Sequence, residues 1–176
     1  MTDKKTFLQL LKEQLEYGGV KYKNSGEKEV TDILTERYGL NGLLWCINKY
    51  VFRYKNLGRE RDLLKIGAYM YILWLKFGYH LDSFFPGATV NTTVDVKLKH
   101  LDQFLAGLEM YKTNREIGVE DAIEDIDILI QNLSGLSTRQ PWILYEITVL
   151  TEHLYNTGNF DGSDADTYNE TGGKPN

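Results

Sequence analysis

Lys49 and Arg53 are four residues apart, and Asp62 and Lys65 are three apart, in the stretch INKYVFRYKNLGRERDLLKIGAYMYILWLK that covers residues 47–76. On helices, both spacings place the two members of a pair on one face. If the turn at Asn56, Leu57 and Gly58 folds the two helices back on each other, a guanidinium, two ammonium groups and a carboxylate converge on one hollow. Such a hollow suits a phosphate group, because arginine grips phosphate with a planar fork and lysine holds it as a point charge. Lys49, Arg53, Asp62 and Lys65 are therefore the candidate catalytic groups, and Tyr50 could stack on a base or sugar. Lys55 and Asn56, at the end of the first helix, could add donors. The competing reading of the same residues is a salt-bridged helical hairpin whose cations are solvated.

Carboxylates offer a second chemistry. Glu29 and Asp32 form an E-x-x-D pair on one side of a helix, and with Asp62 they could hold Mg²⁺ through oxygen ligands. Helical nucleotide pyrophosphohydrolases use this kind of spacing. The denser acidic set Glu120, Asp121, Glu124, Asp125 and Asp127 reads as the solvated face of an amphipathic helix. The chain has no G-x-x-x-x-G-K-[ST] loop, no G-x-G-x-x-G turn, no G-x-S-x-G elbow and no Cys/His cluster. Its three histidines, His80, His100 and His153, are scattered. Activity would therefore have to come from carboxylates, cations and backbone.

The elements that must position these groups are helical. At 176 residues, with 42% apolar and 26% charged residues, the chain can bury one real core and fits a soluble single domain. Three prolines leave room for long helices. The apolar spacing predicts a first helix capped by Thr2 or Asp3, with Phe7, Leu8, Leu11 and Leu15 on one face, stopped by Gly18 and Gly19. A second helix runs from about Glu27 to a Gly39 stop, and a third, capped by Asn41, from about Gly42 to Tyr54. The fourth, about Arg59–Phe77, has apolar positions almost all round, which marks a central helix. After an irregular aromatic stretch at 78–93, a fifth helix runs to Tyr111 and a sixth covers 118–135. A seventh segment starts near Pro141; its β-branched residues Ile143, Ile147, Thr148, Val149 and Thr151 leave helix and strand both open. The expected fold is an all-α bundle of six or seven helices over residues 1–156, with a flexible acidic tail from Thr157.

Composition narrows the partners. A net charge of −5 argues against general nucleic-acid binding, although a local basic patch can still bind a small anion. The longest apolar run, at 66–75, is too short to span a bilayer, and MTDKKTFLQLLKEQ lacks the apolar core of a signal peptide. One cysteine, Cys46, excludes an internal disulfide framework and fits a cytoplasmic core residue. Twelve tyrosines and the broad apolar helix point to contact surfaces and to a homo-oligomer.

Four segments occur in a telling order: KY at 21–22, EVTDIL at 29–34, KYVFRYKNLG at 49–58 and DLLKIGAYMYI at 62–72. The order resembles a short phage-encoded helical domain that forms the C-terminal part of a podoviral nucleotide kinase lacking a phosphate loop. The resemblance covers about a third of the chain; Lys21 stands at the family's histidine, and Trp45 and Cys46 at its Gly-Asn pair. It implies site residues Tyr22, Glu29, Asp32, Lys49, Tyr50, Arg53, Asp62, Lys65 and Tyr69, a nucleotide or other phosphate-bearing ligand, and a kinase-like chemistry in which cations and Mg²⁺ neutralise a transferred phosphoryl group. Two alternatives stand beside it. One is a Mg²⁺-dependent pyrophosphohydrolase. The other is a non-enzymatic phage protein that binds a host protein or sequesters a nucleotide signal in the infected cell.

Overall fold

The computed structural model describes residues 4–21, 30–78, 94–112, 116–134 and 141–164. Among these the chain is all α-helical, with seven helices and no strand: α1 (Phe7–Lys21), α2 (Val30–Tyr38), α3 (Leu40–Leu57), α4 (Glu60–Leu73), α5 (Val94–Tyr111), α6 (Val119–Ser134) and α7 (Pro141–Thr157). No described helix is long and apolar enough to cross a membrane.

Helix α4 organises the bundle. From Leu63 to Leu73 nearly every side chain is buried, as expected of a helix apolar on all sides. It packs against α1, α3, α5 and α7. The approach of α1 is close at Gly67, where an added Cβ would stand 2.8 Å from Phe7 Cζ and 3.3 Å from Leu11 Cδ1. Phe104, Tyr71, Trp74 and Tyr145 form an aromatic cluster between α4, α5 and α7, with Trp74 Nε1 donating to the Tyr145 hydroxyl at 2.8 Å.

Helix boundaries follow local chemistry. Helix α1 starts later than its first candidate caps, because Thr6 and Gln9 form a reciprocal capping box: Thr6 Oγ1 accepts from Gln9 N at 3.2 Å, and Gln9 Oε1 from Thr6 N at 2.9 Å. It also runs through Gly18 and Gly19 to Lys21. Gly39 breaks α2 from α3 at φ 62°, so α3 begins at Leu40, with Asn41 inside the helix. Gly58 closes α3 in the left-handed region at φ 61°, and its N–H donates to Tyr54 O at 2.8 Å. Helix α7 is helical despite its β-branched residues. Thr148 and Thr151 turn their hydroxyls onto the carbonyls of Leu144 and Ile147, each at 2.7 Å, which satisfies them within the helix.

At its C-terminal end α4 widens into a π-helical turn, Trp74–Gly78. Lys76 lies in that turn and is fully buried, with Nζ 2.5 Å from the equally buried Asp32 Oδ1 on α2. At the other end of α4, the described part of the C-terminal segment is anchored. The Glu60 carboxylate, buried at the start of α4, accepts from Gly162 N at 2.5 Å and from Asp164 N at 3.0 Å. Arg61 donates to Asp164 Oδ1 at 2.8 Å, and Phe160 packs on Tyr155. Residues 165–176 lie outside the described residues.

Two predictions follow from this packing. Removing one member of the Asp32–Lys76 pair strands a charge in the interior at a cost of roughly 3–5 kcal/mol. Lys76→Met or Asp32→Leu alone should therefore lower stability in urea by that order, and the double replacement should recover a large part; equal damage from single and double variants would refute the pairing. Tyr155 is the second case. Burial, and then the negative charges of Glu60 and Asp161, push its phenol from 10.0 up to about 12. The fold therefore favours the protonated phenol. That stability is fully present below pH 10 and is lost as pH rises toward about 12. Two units correspond to roughly 2–3 kcal/mol. Unfolding free energies measured across this window should fall for the wild type and fall less for Tyr155→Phe.

Candidate functional site

Helix α3 carries the candidate residues Lys49 and Arg53 on its outer face. Its core side chains Leu43, Leu44, Ile47, Val51 and Tyr54 turn toward the bundle, which leaves Trp45, Lys49, Phe52 and Arg53 on the other side. Trp45 and Phe52 are 68% and 69% exposed, very high for large apolar rings. The Lys49 ammonium stands 5.4 Å from the Trp45 ring centroid and 4.7 Å from that of Tyr50. The Arg53 guanidinium lies 5.9 Å from the same Tyr50 ring. Tyr50 in turn packs on Tyr69 of α4, with ring centroids 5.7 Å apart. The result is a ladder of rings and cations running across the α3–α4 hairpin. Cation–π contacts of this kind hold a charge in place without neutralising it.

Other cations of the same stretch are matched with acids. Lys55 pairs with Asp127 of α6, Arg59 with Asp62 at 3.1 Å, and Arg61 with Asp164 at 2.8 Å. Lys49 and Arg53 have no carboxylate partner among the described residues; their contacts are aromatic.

Trp45 also walls a cavity of about 370 Å³ between α2 and α3, together with Leu34, Tyr38, Asn41, Gly42 and Cys46. The lining is almost wholly apolar, as ligand pockets commonly are, and the volume is at the low end of their usual range. Cys46 is buried there, in keeping with a core cysteine. Trp45 belongs both to this wall and to the ring–cation ladder.

The anticipated site is thus brought together in part. Lys49, Tyr50, Arg53 and Tyr69 share one surface. Asn56 is exposed and donates to Phe52 O at 2.9 Å. Lys55 is tied to α6, and Lys65 is half-buried on α4. Asp62 is not on that surface. It is fully buried in the first turn of α4, where its Oδ2 pairs with Arg59 and its Oδ1 has no protein partner. Asp32 is buried against Lys76. Tyr22 and Glu29 lie outside the described residues.

Asp32 and Asp62 do not fit a Mg²⁺ site as placed. Each already faces a cation, and the described residues contain no group of three His, Cys, Asp or Glu side chains able to hold a metal ion. Magnesium requires several oxygen ligands in near-octahedral order, which two separately paired carboxylates do not supply.

Trp45 and Phe52 escape a search for charged chemistry. Their signal is weak: two large apolar residues seven apart, on the helix face that also carries two cations four apart. No protein-family model, curated protein or solved structure matches this chain.

Proposed function

We propose that the chain binds a nucleotide on the outer face of the α3–α4 hairpin, as a phage protein of nucleotide metabolism. The base would enter the apolar cavity against Tyr38 and Trp45, and the phosphates would meet Lys49 and then Arg53. The observation that supports this reading is a contrast among the described cations: Lys55, Arg59 and Arg61 face carboxylates, whereas Lys49 and Arg53 rest on rings, one of which, Trp45, also lines an apolar cavity. A cation held by an aromatic face keeps its charge available to an anion. From Trp45 to Arg53 the helix rises about 12 Å, so a polyphosphate reaches both cations where a monophosphate reaches only the first. The resemblance to the phage nucleotide kinase-like domain points to the same ligand class and adds Tyr50 and Tyr69 as ring contacts.

Binding is the part of this reading that the geometry supports best. In a phosphoryl transfer, Lys49 and Arg53 would neutralise developing charge on the transferred group. Asp62, anticipated beside them, is instead held in the core by Arg59, so it is not placed to orient a nucleophile there. Holding a nucleotide without turnover, as in sequestering a signal, needs no such base. The exposure of Phe52 and of Leu57, which is 60% exposed, favours a second reading, a protein partner covering the end of α3.

A thermal-shift panel of mono-, di-, tri- and cyclic nucleotides, with and without Mg²⁺, tests the proposal. Triphosphates should raise Tm more than monophosphates. Each charge-assisted phosphate contact is worth about 1.5–3 kcal/mol, so Lys49→Ala and Arg53→Ala should each weaken binding roughly ten- to a hundredfold. Both positions are on the surface, and the Tm without ligand should hardly move. A wild-type protein that no nucleotide stabilises, or a Lys49→Ala variant that responds as the wild type does, would overturn the assignment.

A further inference from the structure

Two helices of the bundle carry charge of opposite sign. Helix α3 holds three cations and no acid, whereas α6 holds five acids and no cation. Each also exposes apolar side chains on its outer crest. On α3 these are Trp45 and Phe52, which lie within about 20° of each other around the helix. On α6 it is Ile128, 50% exposed and one turn on from the exposed Glu124. One exposed aliphatic is ordinary, but two large rings on a helix crest are not.

The two crests are neighbours. Lys55 of α3 pairs with Asp127 of α6, and the two helices pack on each other. At about 100° per residue, Lys55 lies about 80° around α3 from Trp45, and Asp127 lies about 60° around α6 from Glu124. Each crest therefore borders the seam that this ion pair closes. A free polyanion would satisfy α3 alone and leave the acids of α6 in water; a polycation would do the converse. A surface that presents both signs, each with apolar side chains, is the one this chain itself carries. If α3 met α3 of a second copy, cations would oppose cations, and α6 on α6 would oppose acids. Only α3 of each copy on α6 of the other joins unlike charges, and a two-fold axis makes both joins at once.

We infer that the chain forms a two-fold dimer in which α3 of each copy lies across α6 of the other, with Lys49 and Arg53 facing Glu120 and Glu124, and the Trp45 and Phe52 rings covering Ile128. The inference rests on the second reading given above, a protein partner on α3, and names that partner as a second copy of this chain. It shares Lys49 and Arg53 with the nucleotide reading, so a bound triphosphate and the second copy exclude each other on α3.

Sedimentation velocity on the full-length chain, over a concentration series, tests the dimer. The wild type should show monomer and dimer in mass-action equilibrium, with Kd rising about tenfold or more as NaCl is raised. Lys49→Glu with Arg53→Glu reverses the charge of α3; Glu120→Lys with Glu124→Lys reverses that of α6. Each reversed variant alone opposes like charges at both contacts and should dimerise about a hundredfold more weakly. An equimolar mixture of the two restores unlike charges at both contacts and should recover most of the lost affinity. Phe52→Ala should weaken the dimer about tenfold. Circular dichroism checks that each variant retains the wild-type fold. A wild type that stays monomeric at every concentration, a mass that grows beyond the dimer, a dimer indifferent to salt, or folded variants that remain monomeric when mixed would each overturn the inference. The salt series is run on wild-type protein, so it stands even if a variant misfolds. A monomer that triphosphates stabilise overturns the dimer alone, and a dimer that no nucleotide stabilises overturns the nucleotide reading alone.

Discussion

The fold depends on one helix that has almost no outside. Leu63 to Leu73 of α4 present apolar groups in every direction, so water must be excluded all round them and other helices must supply the cover. Helices α1, α3, α5 and α7 do so. Each covering helix gives α4 one face and keeps the opposite face for other uses. On α3 that outer face carries Trp45, Lys49, Phe52 and Arg53. The hairpin turn at Gly58 fixes which face is which, because a left-handed residue there ends α3 and sends the chain back along it.

The same helix dictates what happens to charge at its ends. A fully covered helix cannot leave charged side chains in its first and last turns to water. At the start, the Glu60 carboxylate accepts from the backbone N–H groups of Gly162 and Asp164, and Asp62 Oδ2 accepts from Arg59. At the far end, Lys76 is matched by Asp32. Burying charges in pairs contributes little net stability, but it makes the arrangement specific, since either partner alone would be costly. The π-helical turn is where Lys76 meets that partner. Widened turns of this kind are uncommon and occur mostly as single turns within α-helices.

This division explains what could be read from the sequence. Helix α4 was legible because its pattern is local: apolar residues at every angle mean central burial. The Gly39 and Gly58 breaks were legible for the same reason. The i,i+3 spacing of Asp62 and Lys65 was in view, but the burial of Asp62 against Arg59 was not, since burial depends on what covers the turn from elsewhere in the chain. Asp32 shows the limit most clearly. Its E-x-x-D spacing with Glu29 suggests a metal pair, yet its partner in the structure is a lysine 44 residues away, and no local pattern encodes that meeting. In α7 the β-branched residues argued for either state, and the backbone bonds of Thr148 and Thr151 decide for helix only once the helix exists. The start of the C-terminal segment reads as a polar tail because nothing in its composition reveals that Glu60 and Arg61 bind it.

Burial of the acids also bears on chemistry. A carboxylate beside Lys49 and Arg53 would compete with a phosphate for the same charge, and the two cations would then serve only the fold. The structure withdraws Asp62 and Asp32 into the core with their own cations and leaves rings beside the outer pair. Rings orient ammonium and guanidinium groups while adding no negative charge, which keeps an electropositive strip on a chain whose net charge is −5.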